Sequence, residues 1–127
     1  MRAVWLLTQR LLPLLRAAHG EVVFINSSVI QAPSEDVSGY ALTKSALKAL
    51  ADSLRAGLNA DDVRVLTAFV GRTATPLQQR IASEQGMPYR PERLLQPEDV
   101  AAAVLGAVAL PRTAEVTEIH IRPMRKS

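Results

Sequence analysis

Cysteine is absent from the 127-residue sequence, so neither a disulfide nor a thiolate nucleophile can contribute. Histidine occurs only at His19 and His120, too few for a Cys/His metal constellation. Aromatic residues make up 4% of the chain, and its single tryptophan, Trp5, is read as helix packing rather than as a platform for bases. No apolar run is both long and clean. The stretch 1–15 is broken by Arg2, Gln9, Arg10 and Pro13 and has no small-residue cleavage site behind it, so neither a signal peptide nor a membrane span fits it well, and we expect a cytoplasmic protein. A block of one charge is also missing. The net charge is +3, and Arg2, Arg10, Arg16, Arg55, Arg64, Arg72, Arg80, Arg90 and Arg93 are scattered. This argues against nucleic acid as a partner despite a pI of 9.8. Arg122, Arg125 and Lys126 read as a solvated tail.

What is present is ordinary globular material, 48% hydrophobic and 21% charged, enough for one domain. Val4, Leu7, Leu11, Leu14 and Leu15 recur at helical spacing over 3–18, with Pro13 expected to kink or shorten the last turn and Gly20 to stop the helix. Val22-Val23-Phe24-Ile25 is a β-branched-rich run bounded by Gly20 and Asn26-Ser27-Ser28, as in a strand covered on both faces. Gln31–Gly39 reads as a loop. A helix follows from Tyr40 to Leu58, with Leu42, Leu47, Leu50, Leu54 and Leu58 on its apolar face. Val63–Phe69 predicts a second buried strand, Pro76–Gln85 a short helix, and 86–97 an irregular segment. Pro97-Glu98-Asp99 opens a helix running to about Ala109, with its acids where the helix dipole favours them. Glu115–Ile121 predicts a third strand. This alternation predicts an α/β fold with parallel strands and right-handed crossovers. About three such strands make a small sheet, and if the first has no neighbour on its other side it presents an unpaired apolar edge, an aggregation liability.

Chemistry concentrates around Tyr40-Ala41-Leu42-Thr43-Lys44, where a phenol and an ammonium stand one turn apart at the start of a helix. A nearby cation favours the phenolate and brings a phenol, with an ordinary pKa of about 10, toward neutral pH. A tyrosine so tuned can give a proton to a developing alkoxide or take one from an alcohol. Ser27 lies at the C-terminal end of the first strand, where parallel α/β sheets place their ligands. His19, at a helix end where an imidazole can cap carbonyls, and His120, in a terminal strand, are not catalytic candidates.

Together these segments resemble the short-chain dehydrogenase/reductase family. Its members carry a serine at this strand end and Tyr-x-x-x-Lys on the next helix at about this interval. Thr43-Lys44-Ser45-Ala46-Leu47, Asp62-Val63-Arg64-Val65, Val70-Gly71-Arg72-Thr73-Ala74-Thr75 and Pro97-Glu98-Asp99-Val100-Ala101 also resemble its motifs. The resemblance implies the C-terminal part of a Rossmann-like doubly wound parallel sheet, 1–127 forming a single partial domain that lacks the nucleotide-binding half. It also implies an NAD or NADP cofactor and interconversion of a carbonyl and a secondary alcohol. Ser27 would orient the substrate, with Ser28 as a competing candidate. Tyr40 would be the acid/base, and Lys44 would lower its pKa and hold the nicotinamide ribose. Gly71, Thr73 and Thr75 would contact the cofactor, unless they form an ordinary polar loop. Ile30 and Val70 depart from the family's usual Gly and Pro. Its Gly-x-x-x-Gly-x-Gly turn is missing, so the chain taken alone is expected to show no turnover. A non-enzymatic remnant acting through homo-oligomer contacts of helices 3–18 and 40–58 is the alternative.

Overall fold

A computed structural model describes residues 2–27 and 38–125, with 38–41 as backbone only. Three parallel strands run in the order β1 (Glu21–Ser27), β2 (Arg64–Val70), β3 (Glu118–Ile121). Helix α1 (Arg2–Ala18) precedes β1, and α2 (Ser38–Leu58) links β1 to β2. Helices α3 (Pro76–Glu84) and α4 (Pro97–Val108) lie between β2 and β3. The irregular segment between them contains one 3-10 turn, Pro91–Arg93. The expected Gln31–Gly39 loop, with Ser28 and Ile30, lies largely outside the described residues, and α2 already includes Ser38 and Gly39.

Side-chain alternation divides the sheet into two faces. Phe24, Val63 and Val65 pack with Leu47, Ala51 and Leu58 of α2, and Val4, Leu12 and Leu15 of α1 close that core. Full burial of such side chains contributes roughly 1.5–3 kcal/mol each. On the other face Arg64 reaches the carbonyls at the C-terminal end of α4, and Leu66 and Ala68 are fully buried. β2 is central, which explains its continuous burial from Arg64 to Phe69. Among the described residues β1 pairs only with β2, and Ile25 on β1 is 52% exposed.

Three local expectations are corrected. Helix α1 continues through Pro13 to Ala18 without being shortened. Its terminating left-handed residue is His19, at φ 49°, rather than Gly20. Non-glycine residues adopt that conformation at a cost, and here Arg112 donates to the His19 carbonyl and, at 2.9 Å, to that of Asp62, the other non-glycine residue at positive φ among those described. The α1 stripe is also turned: Val4, Leu12 and Leu15 face the core, whereas Leu7, Leu11 and Leu14 are exposed, as is Leu42 of α2. An apolar groove of about 400 Å3, lined by Val4, Leu7, Leu11, Leu15, Phe24 and Ile25, runs between α1 and β1.

Candidate active site

The C-terminal ends of β1 and β2 bring the sequence candidates together. Ser27, half-buried, stands in register beside Val70, which leads directly into Gly71. Parallel neighbours are about 4.8 Å apart, so Ser27 borders the loop that holds Gly71, Thr73 and Thr75. From the other side, α2 approaches through Lys44, also half-buried. The link is Asn26, 3% exposed: its Nδ2 donates to the Lys44 carbonyl at 2.9 Å, and its Oδ1 accepts from the Ser27 backbone N–H at 2.7 Å. Tyr40 lies in α2, one turn before Lys44; its side chain is outside the described residues.

The loop after β2 is built by its own polar groups. The Gly71 N–H donates to Ile121 at 2.8 Å, and a Cβ at Gly71 would lie 3.0 Å from the Arg122 Cβ and 3.1 Å from the Pro123 Cδ. Glycine is therefore required by the close passage of the chain leaving β3, independently of any ligand. The Thr73 hydroxyl donates to the Gly71 carbonyl at 3.0 Å, and Thr73 bridges Leu95. Thr75 caps α3, its hydroxyl accepting from the Gln78 N–H at 3.2 Å. Thr75→Ala is expected to cost about 1 kcal/mol through loss of that cap, measured by urea denaturation; an unchanged midpoint would show the cap to be idle. Arg72, Arg90 and Arg93 line a neighbouring cavity of about 220 Å3 with Met87, Pro88 and Leu94.

A chain of charges fastens α2 to β3 beside the site. Lys48, one turn beyond Lys44, pairs with Asp52 at 2.7 Å and Glu118 at 3.3 Å. Arg55 bonds Asp52 at 2.9 Å, and His120 contacts Glu118 at 3.0 Å. Hydrogen bonding from Lys48 holds Asp52 below the usual carboxylate range, and the contact with His120 does the same for Glu118. Hydrogen bonding to Asp52 raises Lys48. The lowered carboxylates contribute stability above their unfolded pKa values, lost as pH falls through the folded ones; the raised ammonium contributes below its unfolded pKa, lost as pH rises through the folded one. Stability should therefore fall below about pH 4, less steeply in Lys48→Met. Because these groups are partly solvated, salt should flatten the difference. Identical acid profiles for parent and variant would refute this.

Sequence reasoning singled out Ser27, Lys44 and the loop but passed over Asn26, read only as a polar stop to the strand. It also missed the stacking of His120 on Phe69, with centroids 4.8 Å apart, in the row that ends at Asn26. Alternation within Phe24-Ile25-Asn26 held the one available signal, since an asparagine on the same face as a buried phenylalanine requires partners. Among the described residues, no group of acids and histidines is arranged to hold a metal, and no helix is long and apolar enough to cross a membrane.

Comparison with known proteins agrees with this fold. The sequence model for short chain dehydrogenases matches residues 1–86. An uncharacterized short-chain type dehydrogenase/reductase of Sinorhizobium fredii is 30% identical over 97% of the chain and 51% of its own length. A sepiapterin reductase of Chlorobaculum tepidum is 27% identical over 97% of the chain and 49% of its own. Among solved structures, the Thermococcus sibiricus alcohol dehydrogenase complexed with 5-hydroxy-NADP superposes with a TM-score of 0.78 at 25% identity, over 98% of this chain and 50% of that one. The chain thus spans about half the length of the relatives it matches. With a parallel sheet of the Rossmann-like kind and a family match over most of its length, this chain belongs to the short-chain dehydrogenase family.

Proposed function

We propose that the chain is the catalytic-residue half of an NAD(P)-dependent oxidoreductase that interconverts a carbonyl and a secondary alcohol, with 1–127 forming one partial domain. The observation that carries this reading is the tie through Asn26, which joins the strand end bearing Ser27 to the helix bearing Lys44. Lys44, on the helix that Asn26 ties to the end of β1, would supply an ammonium to the nicotinamide ribose, and the loop holding Gly71, Thr73 and Thr75 would adjoin the cofactor. Arg72, Arg90 and Arg93 around the neighbouring cavity favour a polyanionic ligand. A bound nicotinamide would supply or accept the hydride. Ser27 would hold the substrate oxygen, Tyr40 would give that oxygen its proton in reduction or remove it in oxidation, and Lys44 would favour the phenolate. The NADP-type ligand in the Thermococcus sibiricus relative supports the cofactor class.

The test is a fluorescence titration of the chain with NADPH and NADH. Saturable binding is expected, weakened about tenfold, or about 1.4 kcal/mol, in Lys44→Met. Any turnover found should disappear in Tyr40→Phe. Absence of binding by a folded sample would remove the cofactor reading for this chain. A second reading, in which the chain acts through self-association, is favoured by the exposed Leu7, Leu11 and Leu14 of α1, beside the edge of β1 that carries no strand among the described residues. Sedimentation equilibrium decides it, a monomer at all concentrations excluding that role.

A further inference from the structure

We infer that Asn26 is a positioning residue: by bonding the Ser27 N–H and the Lys44 carbonyl at once, its carboxamide sets where the start of α2 stands relative to the end of β1. The inference rests on the proposed roles of Ser27, Tyr40 and Lys44.

The two partners leave no ambiguity in the amide's orientation, because a backbone N–H can only donate and a carbonyl can only accept. The oxygen must therefore face Ser27 and the nitrogen Lys44, as found at 2.7 and 2.9 Å. The Lys44 carbonyl lies within α2, where one lone pair serves the helix; Asn26 uses its remaining capacity. On its face of the sheet Asn26 follows Phe24 and stands beside Phe69, both buried. An apolar side chain would satisfy that packing equally well, but it could not join the two backbones. A buried amide is costly unless both ends are bonded, and once bonded it admits one arrangement of strand and helix. That arrangement sets the distance from the Ser27 hydroxyl to the turn carrying Tyr40 and Lys44.

The test reads Tyr40 directly in a Tyr89→Phe background, where Tyr40 is the only tyrosine. Tyrosinate absorbance is followed against pH in the parent, in Asn26→Ala and Asn26→Ser, and in Leu47→Ala, which loosens the same helix without touching the tie. Circular dichroism establishes that each variant is folded. The parent is expected to ionise below the ordinary phenol value of about 10. Asn26→Ala should weaken ionisation about tenfold, a shift of about one pH unit. Asn26→Ser should do the same, since its hydroxyl can still accept from Ser27 but is too short to reach Lys44. Leu47→Ala should titrate as the parent does. A depressed parent value left unchanged by both Asn26 substitutions overturns the inference while leaving the proposed function standing, and an equal shift in Leu47→Ala overturns it in favour of general loosening. A parent Tyr40 that ionises as an ordinary phenol overturns the acid/base reading and this inference with it. If Asn26→Ala does not fold, Asn26→Ser carries the comparison.

Discussion

Arg64→Met is expected to unfold the chain or bring it to the edge of unfolding, with a loss of about 3–5 kcal/mol, the usual range for leaving one partner of a buried ion pair uncompensated. The Arg64 side chain is 10% exposed, and its Nε lies 2.6 Å from the equally buried Glu21 Oε1. That approach does not meet hydrogen-bond geometry, so the pair acts chiefly through charge. The rest of the guanidinium binds backbone: Nη2 donates to Val108 at 2.8 Å, and Nη1 to Leu110 at 3.2 Å and Ala114 at 3.0 Å. These carbonyls include the end of α4, where the helix dipole favours a cation. Methionine matches the volume but leaves the carboxylate and several carbonyls without a donor. Against a total stability of about 5–15 kcal/mol for an ordinary domain, such a loss is decisive. Urea denaturation measures it, with Arg16→Met as control, because the Arg16–Asp61 pair is about half exposed and should contribute at most about 1 kcal/mol. Equal effects of the two substitutions would show that burial of Arg64 is energetically unimportant.

Phe69→Ala should cost about as much, roughly 3–5 kcal/mol, because a large core side chain leaves a cavity that its neighbours cannot fill. Phe69 is 1% exposed and lies in the row Asn26, Phe69, His120 across the three strands. His120 covers it as a stacked ring, so a double-mutant cycle with His120→Ala should return a coupling of about 0.5–1.5 kcal/mol. Phe69→Leu should lose much less than Phe69→Ala, since it keeps most of the apolar volume. An alanine variant as stable as the parent would mean that the row collapses freely around the gap, and the floor beneath Asn26 would then not be rigid.

The elements were legible where local chemistry repeats or punctuates. Val22–Ile25 and Val63–Phe69 announced β1 and β2, and Pro97-Glu98-Asp99 announced α4, whose Asp99 carboxylate accepts from the Gln96 N–H at 2.9 Å. The family resemblance was equally legible, because it depends on intervals along the chain. Partners distant in sequence were not. Arg64 looks like a strand-entry residue at the surface until α4 returns to bury it, 44 positions later, against Val108. The third strand begins at Glu118 rather than Glu115: the Val65 N–H is taken by the Glu115 side chain instead of a backbone carbonyl, and the ladder opens with the Thr67 N–H donating to the Thr117 carbonyl. Helical periodicity identified α1, yet only the placement of β1 decides which of its leucines turn inward.

The ladder between β1 and β2 is fastened at both ends. The pairing Glu21↔Arg64 opens it, and Ser27↔Val70 closes it about 20 Å away, at some 3.3 Å per residue. Because successive strand residues face opposite ways, a slip of one position would exchange Asn26 and Ser27 between the two faces of the sheet. The carboxamide would lose Lys44, and the tie between the strand end and α2 would be broken. The ion pair at one end of the strand thus guards the identity of the residue presented at the other, and an error in alignment there would be felt as an error in chemistry.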